Sequence, residues 1–126
     1  MATVLVADDQ RDIRAVLTTL LTSVGYDVLE AADGLAASRM ACEEQPDVIL
    51  LDVSMPAVGG LEVLKWLRNN PATRSIPVIL VTALPGMERD YEPAEGFGNT
   101  FFITKPWSRG AIERAVKRAL TGERGR

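Results

Sequence analysis

The sequence contains no histidine and only one cysteine, Cys42, among its 126 residues. Without histidine the chain has no Ser-His-Asp triad, no histidine general base and no histidine-ligated metal site. A single cysteine cannot form an intrachain disulfide, which is typical of proteins from a reducing compartment. These two absences exclude several classes of enzyme site, and they lead us to expect a cytoplasmic protein.

Long apolar runs and a basic surplus are absent as well. No apolar run approaches the roughly 18 residues that a membrane-spanning helix needs. The start of the chain has neither the basic region nor the cleavage site of a signal peptide. The net charge is −3 at pH 7, whereas nucleic-acid-binding domains usually carry an excess of basic residues. We therefore expect no membrane partner and no direct contact with nucleic acid.

Five short β-branched runs alternate with amphipathic segments along the chain. The runs are Val4–Ala7, Val28–Ala31, Val48–Leu51, Val78–Val81 and Phe101–Ile103. Between the first two, Gly25 ends a helix whose apolar face is Ile13, Val16, Leu17, Leu20, Leu21 and Val24. Such alternation predicts a parallel sheet with helices on both faces, and 126 residues suffice for one such domain.

The other helices are marked mainly by their ends. Asp33 begins a second helix as its cap, and Pro46 follows its end. A third helix carries Leu61, Leu64 and Leu67 and is closed by Asn69, Asn70 and Pro71. Ser108 stands at the N-cap position of the last helix, whose apolar face is Ile112, Ala115, Val116, Ala119 and Leu120. We assign residues 1–121 to one domain and residues 122–126 to a C-terminal tail.

Reactive side chains follow the predicted strands. In open α/β sheets, ligands bind at the carboxyl ends of the strands. The first strand is followed by Asp8 and Asp9, the third by Asp52, the fourth by Thr82 and the fifth by Lys105. Each alone would be read as a cap, turn or surface residue, but all converge on one edge of the sheet.

The convergence predicts a specific chemistry. Three carboxylates in contact repel one another, so at least one should have a raised pKa unless a cation is bound. Hard oxygen ligands favour Mg²⁺. That arrangement leaves Asp52 free to attack phosphorus and form an aspartyl phosphate, while Lys105 and the metal neutralise the developing charge.

These residues resemble the receiver domain of two-component response regulators, of the kind found in chemotaxis regulators. The motifs, which span essentially the whole chain, are Asp8-Asp9, Val48–Pro56 with Gly60, Val81-Thr82-Ala83 and Thr104-Lys105-Pro106. The resemblance implies a doubly wound, flavodoxin-like (βα)5 fold, with a five-stranded parallel sheet in the order 2-1-3-4-5. The strand order comes from the resemblance and not from the periodicity.

The resemblance also implies roles for individual residues. Asp52 matches the phosphoacceptor, and Lys105 matches the lysine that pairs with the phosphoryl group. Asp9 matches the direct Mg²⁺ ligand, Asp8 its water-mediated partner, and the backbone carbonyl of Ser54 a further ligand. Asp52 would itself be a Mg²⁺ ligand.

A switch is implied at the fourth and fifth strands. Thr82 would bind the phosphoryl group and move toward it, and Phe102 would turn inward as it moves, although the neighbouring Phe101 could fill the same role. The partners would be a histidine kinase or histidine phosphotransfer protein upstream and a protein partner downstream. The chain would be a switch that catalyses only its own phosphorylation and dephosphorylation.

Two features depart from the family pattern. Proline and glycine interrupt the stretch between Thr82 and Phe101, so we expect a short helix at most, within Met87–Glu95. We expect residues 84–99 to be mobile or remodelled for a partner. Trp107 stands where phenylalanine is common, and we expect its fluorescence to report on phosphorylation.

Three alternatives compete with this interpretation. A pseudo-receiver would bind proteins without taking phosphate, but such modules commonly lack one of the acidic, threonine or lysine residues that are intact here. An aspartate-nucleophile phosphatase would carry a second aspartate two residues after the nucleophile, where this chain has Ser54. A flavodoxin-like cofactor carrier would need a Ser/Thr-rich phosphate loop in place of the acidic pair Asp8-Asp9.

Overall fold

The computed structural model describes residues 1–83 and 99–122. The strands are β1 Thr3–Ala7, β2 Asp27–Ala31, β3 Val48–Asp52, β4 Val78–Thr82 and β5 Thr100–Thr104. The helices in these ranges are α1 Arg11–Ser23, α2 Gly34–Glu44, α3 Gly60–Asn69 and α4 Arg109–Thr121. All strand pairs are parallel, and the order β2-β1-β3-β4-β5 confirms the predicted fold and topology.

The core lies on both faces of the sheet. One face packs against α2 and α3 through a cluster that includes Leu5, Ala37, Ala41, Ile49, Leu51, Leu64, Leu67 and Leu80. The other face packs against α1 and α4 through a cluster that includes Val6, Leu17, Leu21, Leu50, Ile79, Ile112 and Val116. Every residue of β3 and β4 is buried, because central parallel strands are covered on both sides.

The predicted apolar face of α1 is wider than the face that the fold buries. Leu17, Leu20 and Leu21 are buried, whereas the side chains of Val16 and Val24 are 53% and 42% exposed. Val24 is the C-cap residue and lies beyond the helix. The prediction was therefore wrong for these two valines, because the sheet covers only the central stripe of the helix.

The predicted helix ends are confirmed. The Asp33 carboxylate accepts a hydrogen bond from Ala36 N–H at 2.8 Å, and the Ser108 hydroxyl accepts one from Ala111 N–H at 3.1 Å. Gly25 follows α1 with a φ of +103°, which a residue with a side chain rarely adopts. The contacts of Asp33 and Ser108 satisfy N–H groups that the first turn of a helix leaves without partners.

Some predictions concern other parts of the chain. The expected helix within Met87–Glu95 lies outside the described residues, as do 84–98 of the segment expected to be mobile and 123–126 of the tail. In the parts that the structure does describe, no helix is both long and apolar enough to cross a membrane.

Candidate functional site

The register of the parallel strands brings the predicted site residues to one edge of the sheet. Asp8 follows β1, Asp52 ends β3, Thr82 ends β4 and Lys105 follows β5. Each of Asp8, Asp9 and Asp52 offers a carboxylate oxygen, and these oxygens all lie within 4.8 Å of one another. The sequence-based expectation that three carboxylates converge here is therefore met by the geometry.

Asp52 is the least exposed of the three clustered carboxylates, and a lysine lies beside it. Its side chain is 4% exposed, and both carboxylate oxygens lie 3.2 Å from the Lys105 ammonium. The Ser54 N–H also donates to Oδ1 of Asp52 at 3.0 Å. Lys105 is held in turn by its own backbone, whose N–H donates to the carbonyl of Thr82 at 2.7 Å. The Lys105-Pro106 peptide bond is cis.

Asp8 lies beside Asp52 and is buried to a similar extent. It is buried, and its Oδ1 accepts a hydrogen bond from Gln10 N–H at 2.8 Å. Burial raises the pKa of the Asp8 carboxyl above its ordinary value of 3.8, and the negative charge of Asp52 adds to this effect, while the Gln10 hydrogen bond opposes it. One raised pKa was predicted from repulsion between the carboxylates, but burial is the larger cause.

The donor set fits a hard divalent cation. Within the described part of the chain, the exposed carboxylate of Asp9 accepts no hydrogen bond, and the Lys105 ammonium forms an ion pair with Asp52 but with neither of the other two carboxylates. Carboxylate oxygens are the ligands that Mg²⁺ prefers. The role of the Ser54 carbonyl as a metal ligand stays a prediction. The structure shows that the N–H of the same residue donates a hydrogen bond to the Asp52 carboxylate.

Thr82 and Phe102 lie on the same face of the sheet. Side chains alternate along a strand, so Thr82 shares a face with Leu80, which belongs to the cluster under α2 and α3. Phe102 is the register partner of Leu80 and packs against that same cluster. Phe101 packs against the opposite cluster, under α1 and α4. Of the two phenylalanines, only Phe102 is therefore on the side of Thr82.

Two glycines allow the loop after β3 to approach its neighbours. A Cβ on Gly60 would contact the backbone oxygen of Asp52, and a Cβ on Gly34 would lie 2.5 Å from the backbone oxygen of Val58. The loop that follows the candidate phosphoacceptor is thus pinned between the first turns of α2 and α3. The sequence motif contained Gly60, but it carried no signal for the contact that Gly34 makes across the loop.

Arg14 is a residue near the site that the sequence analysis does not single out. Its Nη1 donates to the backbone carbonyl of Asp8 at 2.7 Å, and its Nε donates to Glu30 at 3.0 Å. A signal exists in the sequence, since Arg14 precedes Leu17 by three residues and Leu21 by seven. A charged residue on the buried stripe of a helix indicates a specific partner.

Trp107 lies close to the site. It is half-buried and packs against the cluster under α1 and α4. Together with Gln10, Ile13, Lys105 and Pro106 it lines an open groove of about 550 Å³. The groove therefore adjoins the lysine that contacts Asp52.

Comparison with known proteins gives consistent relatives. A family model described as the response regulator receiver domain matches residues 4–117. The response regulator PleD of Caulobacter vibrioides is 43% identical over 105 residues, which is 83% of this chain but only 23% of PleD. The polar-differentiation response regulator DivK of Brucella anthropi is 38% identical over 117 residues, covering 93% of this chain and 94% of DivK.

Solved structures resemble the fold closely. The chemotaxis protein CheY4 of Vibrio cholerae superposes with a TM-score of 0.85 at 32% identity, over 95% of this chain and 99% of CheY4. The receiver domain of the sensor histidine kinase PA1611 from Pseudomonas aeruginosa gives a TM-score of 0.81 at 28% identity, over 95% and 98% of the two chains. That structure has a magnesium ion coordinated in its active-site cleft.

The family model covers most of the chain, and its match includes every residue of the acidic cluster, Thr82 and Lys105. DivK, at 38% identity, aligns over nearly the whole length of both proteins. Five parallel strands in the order 2-1-3-4-5 agree with both. This chain is therefore a member of the response regulator receiver domain family, whose members act as signalling switches.

Proposed function

We propose that this chain is a phosphorylation-dependent signalling switch in which Asp52 accepts a phosphoryl group. The observation that carries the proposal is the setting of Asp52, which is buried between an acidic pair and the ammonium of Lys105. A carboxylate oxygen of Asp52 attacks the phosphorus of the donor, a P–O bond forms, and the bond from phosphorus to the donor's leaving atom breaks. Lys105 neutralises charge on the transferred group.

Asp8, Asp9 and Asp52, with the Ser54 carbonyl, would hold Mg²⁺. Bound there, the metal would supply positive charge that stabilises the phosphoryl oxygens during transfer. The support is the cluster of carboxylate oxygens, since the ion pair of Lys105 with Asp52 is the single one that the described residues form with these three carboxylates. Lys105 contacts Asp52 in the resting state, so it exchanges a carboxylate partner for a phosphoryl partner when the site is phosphorylated.

The output of the switch would run through Thr82 and Phe102. Phosphorylation adds about 1.5 to 2 negative charges and three acceptor oxygens at Asp52, and these attract the Thr82 hydroxyl. Phe102 would respond because it lies on the same face of the sheet, beside Leu80. The proposed consequence is a changed surface along β5, read by a downstream protein.

The donor would be a histidine kinase or a histidine phosphotransfer protein, and the receiving unit would comprise residues 1–121. The end of α4 at Thr121 supports that boundary, with residues 122–126 as a tail. A cytoplasmic location, expected from the single cysteine, stays a prediction.

The test is intact-mass measurement after incubation with acetyl phosphate, with and without Mg²⁺, on the wild type and on Asp52→Asn. The proposal predicts a gain of one phosphoryl group that requires Mg²⁺ and disappears in the variant. Glu62→Gln is a matched control, because it neutralises an exposed carboxylate at the start of α3. A wild type that gains no mass under any condition would instead be a pseudo-receiver.

A further inference from the structure

Arg14 connects three parts of the structure at the acidic site. Its guanidinium donates from Nη1 to the Asp8 carbonyl at 2.7 Å and from Nε to the Glu30 carboxylate at 3.0 Å. Asp8 is also tied to β2, since its N–H donates to the carbonyl of Ala31 at 3.1 Å. The contacts form a closed ring through α1, the end of β1 and the end of β2.

The carbonyl that Arg14 binds is mechanically important. It belongs to the peptide group that joins Asp8 to Asp9, so its orientation sets the direction in which both side chains leave the backbone. A charge-assisted hydrogen bond of 2.7 Å is among the stronger contacts that can hold a peptide plane. The Arg14 side chain is 15% exposed and is therefore largely shielded from competing water.

We propose that Arg14 is a positioning residue that holds Asp8 and Asp9 in the geometry needed to bind Mg²⁺. The inference rests on the proposed function, because it assumes that the acidic pair binds the metal. Glu30 has the supporting role of orienting the guanidinium, and its side chain is 43% exposed. Partners that orient ligands from outside the metal's own coordination typically change metal affinity by about 10- to 100-fold when removed.

An electrostatic role and a positioning role for Arg14 predict opposite changes in Mg²⁺ affinity when the residue is replaced. If Arg14 acted only through its positive charge, removing it would strengthen Mg²⁺ binding, since a cation near the site repels the metal. If Arg14 positions the ligands, removing it weakens binding. Two changes leave the local net charge as it is: Arg14→Lys, and the double change Arg14→Gln with Glu30→Gln.

The experiment measures the Mg²⁺ dissociation constant of the unphosphorylated protein by titration calorimetry. We expect binding to weaken about 10-fold in Arg14→Gln and in the double variant, at the lower end of such effects. We expect Mg²⁺ binding to weaken about threefold in Arg14→Lys, because the single nitrogen of lysine can replace only one of the two guanidinium nitrogens that donate. Urea unfolding without Mg²⁺ shows whether each variant is folded, and loss of stability alone leaves the affinity of the folded protein unchanged.

Arg109→Gln is the matched control. Arg109 also spans two helices, pairing with Glu113 at 2.8 Å and donating to Ser23 at 3.2 Å, but none of these contacts touches the acidic residues. Its Mg²⁺ affinity should equal that of the wild type. Unchanged or tighter binding in Arg14→Gln, or unchanged binding in both charge-conserving variants, would overturn the inference while leaving the proposed function intact. A wild type that binds no Mg²⁺ would overturn both.

Discussion

The two edges of the sheet differ in how their charged side chains are paired. At the carboxyl edge, three carboxylates each place an oxygen within 4.8 Å of the others, and the Lys105 ammonium contacts one of them, Asp52. At the amino edge, the largely buried Arg68 donates to the carbonyls of Arg74, Ile76 and Asn99 and to the hydroxyl of Thr100. One edge concentrates like charges, whereas the other matches a donor-rich side chain with acceptors from two segments, residues 74–76 and 99–100.

The difference separates binding from stability. Like charges held together cost folding free energy, and natural sites accept that cost where a ligand must bind. Hydrogen bonds from one arginine to several backbone carbonyls tie separate segments together and supply a donor to part-buried acceptors such as the Ile76 carbonyl. We therefore expect changes at the amino edge to affect stability alone, and changes at the carboxyl edge to affect ligand binding with varied effects on stability.

The largest effect should come from Gly60→Ala, which is expected to lower both stability and ligand binding. The new Cβ would contact the Asp52 backbone oxygen and lie 2.8 Å from the Cα of Val53. Both neighbours are backbone, so α3 or the end of β3 must shift. We expect a loss of about 2–3 kcal/mol in the free energy of unfolding by urea, as for other overpacked sites, together with weaker Mg²⁺ binding.

Gly110→Ala is the control for that change. Its Cβ would meet only the end of the Arg114 side chain, at 2.9 Å, and a flexible side chain can move away. Stability should be unchanged or slightly higher, because alanine favours helix more than glycine does. Equal stability of the Gly60→Ala and wild-type proteins would show that the close approach of α3 to β3 is not required.

Arg68→Ala should have the next largest effect. The change removes the Arg68 hydrogen bond to the carbonyl of Ile76 and one of the two hydrogen bonds that the carbonyl of Asn99 accepts, the other coming from the Val78 N–H. We therefore expect the free energy of unfolding to fall by about 2 kcal/mol. The Mg²⁺ dissociation constant should stay at the wild-type value. Arg74→Ala, at an exposed neighbouring position, should be nearly neutral. A weaker Mg²⁺ affinity in Arg68→Ala would contradict the separation of the two edges.

Asp8→Asn should have the smallest effect, in the opposite direction. Burial raises the pKa of Asp8, so the folded protein binds its proton more tightly than the unfolded chain does. Ionised Asp8 therefore reduces stability above the raised pKa, and this penalty fades as pH falls toward the ordinary value of 3.8. At neutral pH without Mg²⁺, we expect Asp8→Asn to raise the free energy of unfolding by about 1 kcal/mol and the melting temperature with it.

The advantage of Asp8→Asn should narrow when the melting temperature is measured at lower pH. It should also narrow when Mg²⁺ is added, because the metal stabilises the protein that binds it. A variant that is less stable than the wild type at neutral pH would indicate that the Gln10 hydrogen bond outweighs the burial of the charge.

Periodicity along the chain was sufficient to predict the order and type of the elements. The alternating runs correspond to β1–β5, and the caps at Asp33 and Ser108 are in place. It was insufficient at the edges of helix faces, where Val16 and Val24 are exposed. Helical spacing states which side chains share a face, but the width that becomes buried depends on the sheet beneath.

Residues with a local signature could be predicted from the sequence, whereas residues defined by distant contacts, at the site or at the opposite edge of the sheet, were missed. The rule that parallel strands end together places five residues at one edge, because each ends or follows a strand: Asp8, Asp9, Asp52, Thr82 and Lys105. The contacts of Arg14 with Glu30 and of Arg68 with Asn99 join residues 16 and 31 positions apart. No spacing rule predicts pairs of that kind.

The sequence by itself determined the class of fold and the identity of the groups at the site, because strand periodicity and strand ends are local properties of the chain. Only the tertiary structure decided which phenylalanine shares a face with Thr82, which arginine donates to the Asp8 carbonyl, and how closely Gly60 approaches Asp52. These features depend on how separate elements pack, and packing distances between elements are not encoded in the spacing within any one of them.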